Sequence, residues 1–167
     1  MIRLVLGDVL TAKTDALLVA MDGDAEGMEG NIGRQLQRKI GEEAWEDLMA
    51  QLIFPMGAGT AQIAEFEGVA EVQFKFAVFA AAFLHATNEG ASSTLKASLD
   101  QSLKRARGAG ARSIATAVLT GGWRVNKERA IAHLVDVSDS CGLEVEVYSR
   151  AKEYAETQSL FQAFGVR

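Results

Sequence analysis

"SIATAVLTGGWRVNKERA", residues 113–130, decides how this chain is organised. Its small, β-branched and apolar residues predict a strand over 113–119. Two glycines and a tryptophan follow, and Asn126 can cap a helix with Ile131, Leu134, Val135 and Ser138 on one face. A strand that turns through glycines into a helix belongs to an α/β protein with a largely parallel sheet. The Gly121-Gly122 turn has two readings. Its backbone N–H groups can form a nest for an anion, or a glycine takes up the positive-φ conformation a tight turn needs.

Working outward, short apolar runs alternate with segments of helical period. "IRLVL" (2–6) and "DALLVAM" (15–21) read as strands, the second almost wholly apolar and so buried on both faces. After the loop "DGDAEGMEGN" (22–31), Ile32, Leu36, Ile40, Ala44 and Leu48 recur every four residues, one apolar stripe on a helix that Gly41 weakens. "TAQIAEF" (60–66) alternates as a half-exposed strand, and 72–84 holds another. Ser92 or Ser93 can cap a helix carrying Leu95, Leu99, Leu103 and Ala106, with Gly108 or Gly110 at its end. "LEVEVYS" (143–149) is a strand, and Tyr154, Phe161 and Phe164 suit a last helix.

The expected fold class is α/β: a three-layer α/β/α sandwich over residues 1–167, read as a single domain. Two successive strands within 52–84 make its sheet mixed, mostly parallel. Strands 15–21 and 113–119 should lie side by side at its centre. Such folds bind ligands beyond the carboxyl ends of their strands, so the loops 22–31 and 120–125 are the candidate sites.

The bulk properties narrow the function classes. Hydrophobic residues make up 49% and charged residues 23%, ordinary soluble usage. A net charge of -5 argues against a protein that mainly neutralises nucleic-acid phosphates. Cys141 is the only cysteine, so an intrachain disulfide is excluded and a reducing, cytoplasmic setting is expected. The apolar N-terminus is interrupted by Asp8, Lys13 and Asp15, which fits neither a signal peptide nor a membrane span. Lys104, Arg105, Arg107 and Arg112 gather at a helix end, where cations suit the dipole. His85, His133 and Cys141 make no metal or nucleophile spacing, so neither a metal site nor a cofactor is expected.

In this order, the motifs resemble those of macro domains. "IRLVLGDVLTAKTDALLVAMDGD" is similar to the family's opening strand, its Gly-Asp-(Ile/Val)-Thr-like turn and its Asp-Ala-(hydrophobic)₂ strand. "EGMEGNIGRQL" falls at the glycine-rich loop and first helix, and "GAGTAQIAEF" resembles the Gly-x-Ala strand. "SIATAVLTGGWRVNKERAIAHL" resembles the Ser-Ile-Ala strand, phosphate loop and following helix. The likeness covers roughly residues 2–150. It implies a ligand of the ADP-ribose or related nucleotide type. By position, it implies that Asp8 holds the adenine amino group, Thr120 and Gly121 belong to the diphosphate loop, and Trp123 lies beside the distal ribose. Gly30, Gly122 and Asp22 complete the candidate ligand-binding set, Gly30 and Asp22 from the glycine-rich loop and the asparagine element. The N-terminal domain of leucine aminopeptidases is similar too, but its peptidase chemistry belongs to a separate metal-bearing domain, so none is expected here.

The departures from that pattern shape the functional expectation. The family's Asn-Ala-Ala-Asn element reads Val19-Ala20-Met21-Asp22, without the amides used for ribose recognition and catalysis. No catalytic residue is therefore assigned. Asp22, Asp24, Glu26 and Glu29 lie within eight residues. Unit charges about 4 Å apart interact by about 4 kcal/mol at a surface-like dielectric, so this loop opposes a diphosphate. It mimics a calcium loop at Asp22, Asp24, Glu26 and Gly27, but Gly33 stands where the bidentate glutamate belongs. The leading expectation is weak, non-catalytic nucleotide or ADP-ribose-type binding. The alternative is a scaffold or protein-interaction domain that has lost the ligand site.

Overall fold

The predicted apolar and alternating runs form strands, and the most apolar of them bury their side chains between two layers. The computed structural model describes residues 1–23, 30–84, 92–120 and 125–167. Within them the chain runs β1 (Ile2–Leu6), a 3₁₀ turn (Val9–Thr11), β2 (Ala16–Asp22), α1 (Asn31–Ile40), α2 (Glu42–Ala50), β3 (Thr60–Glu65) and β4 (Phe76–Phe83). It continues through α3 (Ser92–Gly108), β5 (Ser113–Thr116), α4 (Lys127–Ser138), β6 (Glu144–Ser149) and α5 (Ala151–Ala163).

These strands form one mixed sheet in the order β1-β6-β5-β2-β4-β3. Every pairing is parallel except β3 with β4, the pair the two successive strands predict. Strands β2 and β5 are neighbours, with Ala16 opposite Ile114 and Leu17 opposite Ala115.

The period of two along each central strand sorts side chains between two cores. Leu17 and Val19 of β2, with Ala77 and Phe79 of β4, meet Leu36 of α1 and Trp45 and Leu48 of α2. Trp45 sets its ring edge-on to Phe79 at 6.0 Å and 76°. Ala16 and Leu18, with Val78 and Ala80, face Leu95, Leu99 and Leu103 of α3 and Ile131 and Leu134 of α4. The result is an α/β/α sandwich with β2 buried on both faces, as its nearly unbroken apolar run requires.

Two local expectations are corrected. The stripe Ile32–Leu48 is carried by two helices, because Gly41 takes φ +87 and serves both. Its N–H donates to Gln37 O, closing α1, while its own carbonyl accepts from Trp45 N, opening α2. Strand β5 ends at Thr116 rather than 119. Its partner β2 pairs with it over two residues, then continues against β4 alone.

Asp15 fixes the opposite, amino-terminal ends of the central strands. Its carboxylate accepts from Arg112 N at 2.8 Å, and its carbonyl accepts from Lys75 N and Phe76 N at 2.8 and 3.1 Å. That Arg112 N–H, helped by Lys75, holds the Asp15 carboxyl below its ordinary pKa against the opposing effect of burial.

Candidate functional site

Neighbouring parallel strands whose connections leave in opposite directions open a crevice at their carboxyl ends. Here β2 leads through α1, α2 and β3 to β4 on one side, whereas β5 leads through α4 to β6 on the other. A cleft of about 470 Å³ lies at this edge, within the roughly 300–1,000 Å³ of small-molecule sites. Its wall is assembled from the segments that follow the strands: Asp8 after β1, Thr120 after β5 and Tyr148–Arg150 at the end of β6.

The first turns of α1, α4 and α5 complete the wall through Asn31, Lys127 and Lys152. The cap of α1 is Gly30 and that of α5 is Arg150, and neither makes a side-chain capping bond. Helix N-termini carry partial positive charge and free N–H donors, so their convergence favours an anion. Asn126 does cap α4, its side-chain oxygen accepting from Arg129 N at 2.8 Å.

The expected residues divide between the cleft and its supports. Asp8 lines the cleft and is exposed. Its Oδ1 accepts from Leu10 N at 3.0 Å and caps the 3₁₀ turn, while Oδ2 takes no hydrogen bond among the described residues. One carboxylate oxygen thus orients the group at the cleft wall. Thr120 also lines the cleft, and its carbonyl accepts from Val125 N at 3.1 Å, which brings the two ends of the intervening loop together. Gly30 stands just behind the wall, donating to Ala20 O at 3.2 Å; a Cβ on it would meet that oxygen at 3.4 Å.

Asp22 ends β2, buried at 5% exposure and outside the cleft lining. The remaining members of the expected set, Gly121, Gly122 and Trp123, lie outside the described residues, as do His85 and the acidic positions Asp24, Glu26 and Glu29. Among the described residues no cluster of three or more His, Cys, Asp or Glu could hold a metal ion. Cys141 is half-buried, its thiol donating to Ser138 O at 3.2 Å.

Sequence reasoning missed the wall that α5 supplies. Arg150 Nη2 donates to Gln35 Oε1 at 2.7 Å and so ties α5 to α1. Lys127 Nζ donates to Glu156 Oε2 at 2.9 Å and lies 4.0 Å from Glu153 Oε2, tying α4 to α5. Tyr148 donates to Glu146 Oε2 at 2.8 Å; burial, then that bond, pushes its pKa up to about 12, so the phenol stays protonated. One signal was available in the sequence: lysines in the first turns of two predicted helices, where the dipole disfavours cations.

A mixed six-stranded sheet between two helical layers, with its cleft at the β2/β5 switch, defines the class: this is the fold of macro domains, reached by a divergent sequence. A variant of the Oceanobacillus iheyensis macrodomain is similar over 98% of this chain and 92% of its own, with a TM-score of 0.76 and 14% identity. The macrodomain of Mycobacterium tuberculosis DarG matches with a TM-score of 0.71 and 20% identity, covering 89% of this chain and 97% of its own. The Oceanobacillus iheyensis macrodomain with ADP gives a TM-score of 0.75 at 14% identity, covering 98% of this chain and 90% of its own. No protein-family profile and no curated protein matches the sequence. Among the described residues no helix is long and apolar enough to cross a membrane.

Proposed function

We propose that residues 1–167 act as one macro-type domain whose cleft binds an ADP-ribose-type nucleotide weakly and without hydrolysing it. The observation that carries this reading is the convergence of three helix first turns, Asp8 and Thr120 on one cleft at the β2/β5 switch. The helix ends supply positive potential for a diphosphate, and the exposed Asp8 oxygen can accept from an adenine amino group. Solved structures of this fold with ADP and with ADPR support the ligand class. Val19 and Asp22 at the positions of the family's asparagines support binding without turnover. The lone Cys141 supports a reducing compartment, the cytoplasm.

The test is the thermal stability of the protein with free ADP-ribose. A ligand that binds only the folded state at a hundredfold excess over Kd stabilises it by about 2.7 kcal/mol, a shift of roughly 5–10 °C for a domain of this size. Asp8→Ala should reduce the shift at a fixed ligand concentration. The acidic run Asp22, Asp24, Glu26 and Glu29 favours the scaffold reading through its repulsion of phosphate. Amide substitution of those four should then enlarge the shift. No shift at millimolar ADP-ribose, in the natural or the amide-substituted protein, would leave the scaffold reading standing.

A further inference from the structure

The charges around the cleft break a rule of helix electrostatics at one place. Lys127 is the first residue of α4, Lys152 the second of α5, and Arg150 the cap of α5. A cation at a helix N-terminus opposes the macrodipole, yet all three line the same cleft. Sequences violate such local preferences chiefly where a site requires it. Of the three, only Lys127 is half-buried, whereas Arg150 and Lys152 are exposed. Its side chain is 24% exposed, against 54% and 68% for its ionic partners Glu153 and Glu156.

Its partners are two carboxylates for one ammonium, both from the first two turns of α5, and both on the cleft wall. They are exposed, so each contact is a weak one in water. Lys127 also follows closely on the segment that begins at Thr120, because Val125 N donates to Thr120 O. A phosphate entering beside Thr120 therefore meets a cleft-lining ammonium whose ionic partners among the described residues are two exposed carboxylates.

We propose that Lys127 is the phosphate-binding cation of this cleft, and that Glu153 and Glu156 are its placeholders, exchanged for a ligand phosphate on binding. The inference rests on the nucleotide reading above and goes further by naming the charged residue that sets affinity and the pair that limits it. It gives the weak binding proposed above a physical cause: the ligand must displace two carboxylates that stay nearby and repel it. Freeing Lys127 should strengthen binding, and removing its charge should weaken it.

The experiment measures ADP-ribose and inorganic pyrophosphate binding by calorimetry and thermal shift. The proteins are the natural chain, Lys127→Met, Lys127→Arg, and the pair Glu153→Gln with Glu156→Gln, alone and combined with Lys127→Met. Loss of one charge-assisted hydrogen bond predicts a Kd for ADP-ribose about tenfold weaker in Lys127→Met, with Lys127→Arg close to the natural chain. The glutamine pair should bind about threefold or more tightly, and the gain should vanish in combination with Lys127→Met. Equal ADP-ribose affinity in all five proteins would overturn the role of Lys127 and leave the nucleotide reading intact. Pyrophosphate binding that depends on Lys127, with no ADP-ribose binding, would keep the phosphate site and overturn the nucleotide reading. Binding of neither probe would overturn both.

Discussion

Gly23, where β2 gives way to the loop before α1, has no room for a side chain. A Cβ there would lie 2.4 Å from Met56 O, 2.7 Å from Leu84 Cδ2 and 3.1 Å from Ala81 Cβ. The leucine tip can rotate away. The Met56 carbonyl cannot, because Met56 N donates to Gly23 O at 2.7 Å and ties the two backbones together. Gly23→Ala must therefore move main chain where β2 ends, and we expect a cost of about 3 kcal/mol, the upper part of the overpacking range. For a domain of this length that is a fall in Tm of about 6–12 °C. The comparison is Gly41→Ala, where φ is +87 but nothing lies within 4 Å of the added atom. Conformational strain alone gives about 1–2 kcal/mol there. Urea unfolding of both variants, with an unchanged m-value, supplies the free energies. A Gly23→Ala protein no less stable than Gly41→Ala would refute the argument from space.

Trp45→Ala removes a buried indole from the core beneath α2 and its edge contact with Phe79, and should cost about 3–5 kcal/mol in denaturant unfolding. A loss below about 1 kcal/mol would mean that α2 collapses onto the gap. Asp15 predicts acid sensitivity. Its folded pKa is depressed, so its contribution is present above the unfolded carboxylate value of about 3.9 and is lost as pH falls through the lower folded value. Asp15→Asn should therefore flatten the stability profile below about pH 4, and an unchanged profile would contradict the bond from Arg112 N.

Much of the fold is legible in the chain because periodicity reports how each element meets its own layer. The run 15–21 has no polar face, which only a strand covered on both sides can tolerate, and β2 has that position. Two strands in succession over 60–84 leave no helix for a crossover, so β3 must turn back antiparallel on β4. Asn126 followed by an apolar stripe marked the start of α4 to the residue. Where the pattern misled, local backbone decided. Gly41 in a left-handed conformation divides one apolar stripe between two helices, and β5 stops at Thr116 although apolar residues continue.

The site divides the same way. Asp8 and Thr120 could be placed by their motifs, since each follows a strand whose carboxyl end must open on the crevice. The wall made by α5 could not. Lys127 and Glu156 are 29 residues apart, and Gln35 and Arg150 are 115 apart, so no spacing along the chain relates them. Their meeting depends on three helices, each packed on the sheet by its own apolar face, ending at one edge of it. The sequence alone determines which residues each layer buries and which strand ends open on the cleft. Only tertiary packing, through the convergence of helix N-termini and the charges they carry, decides what that cleft can hold.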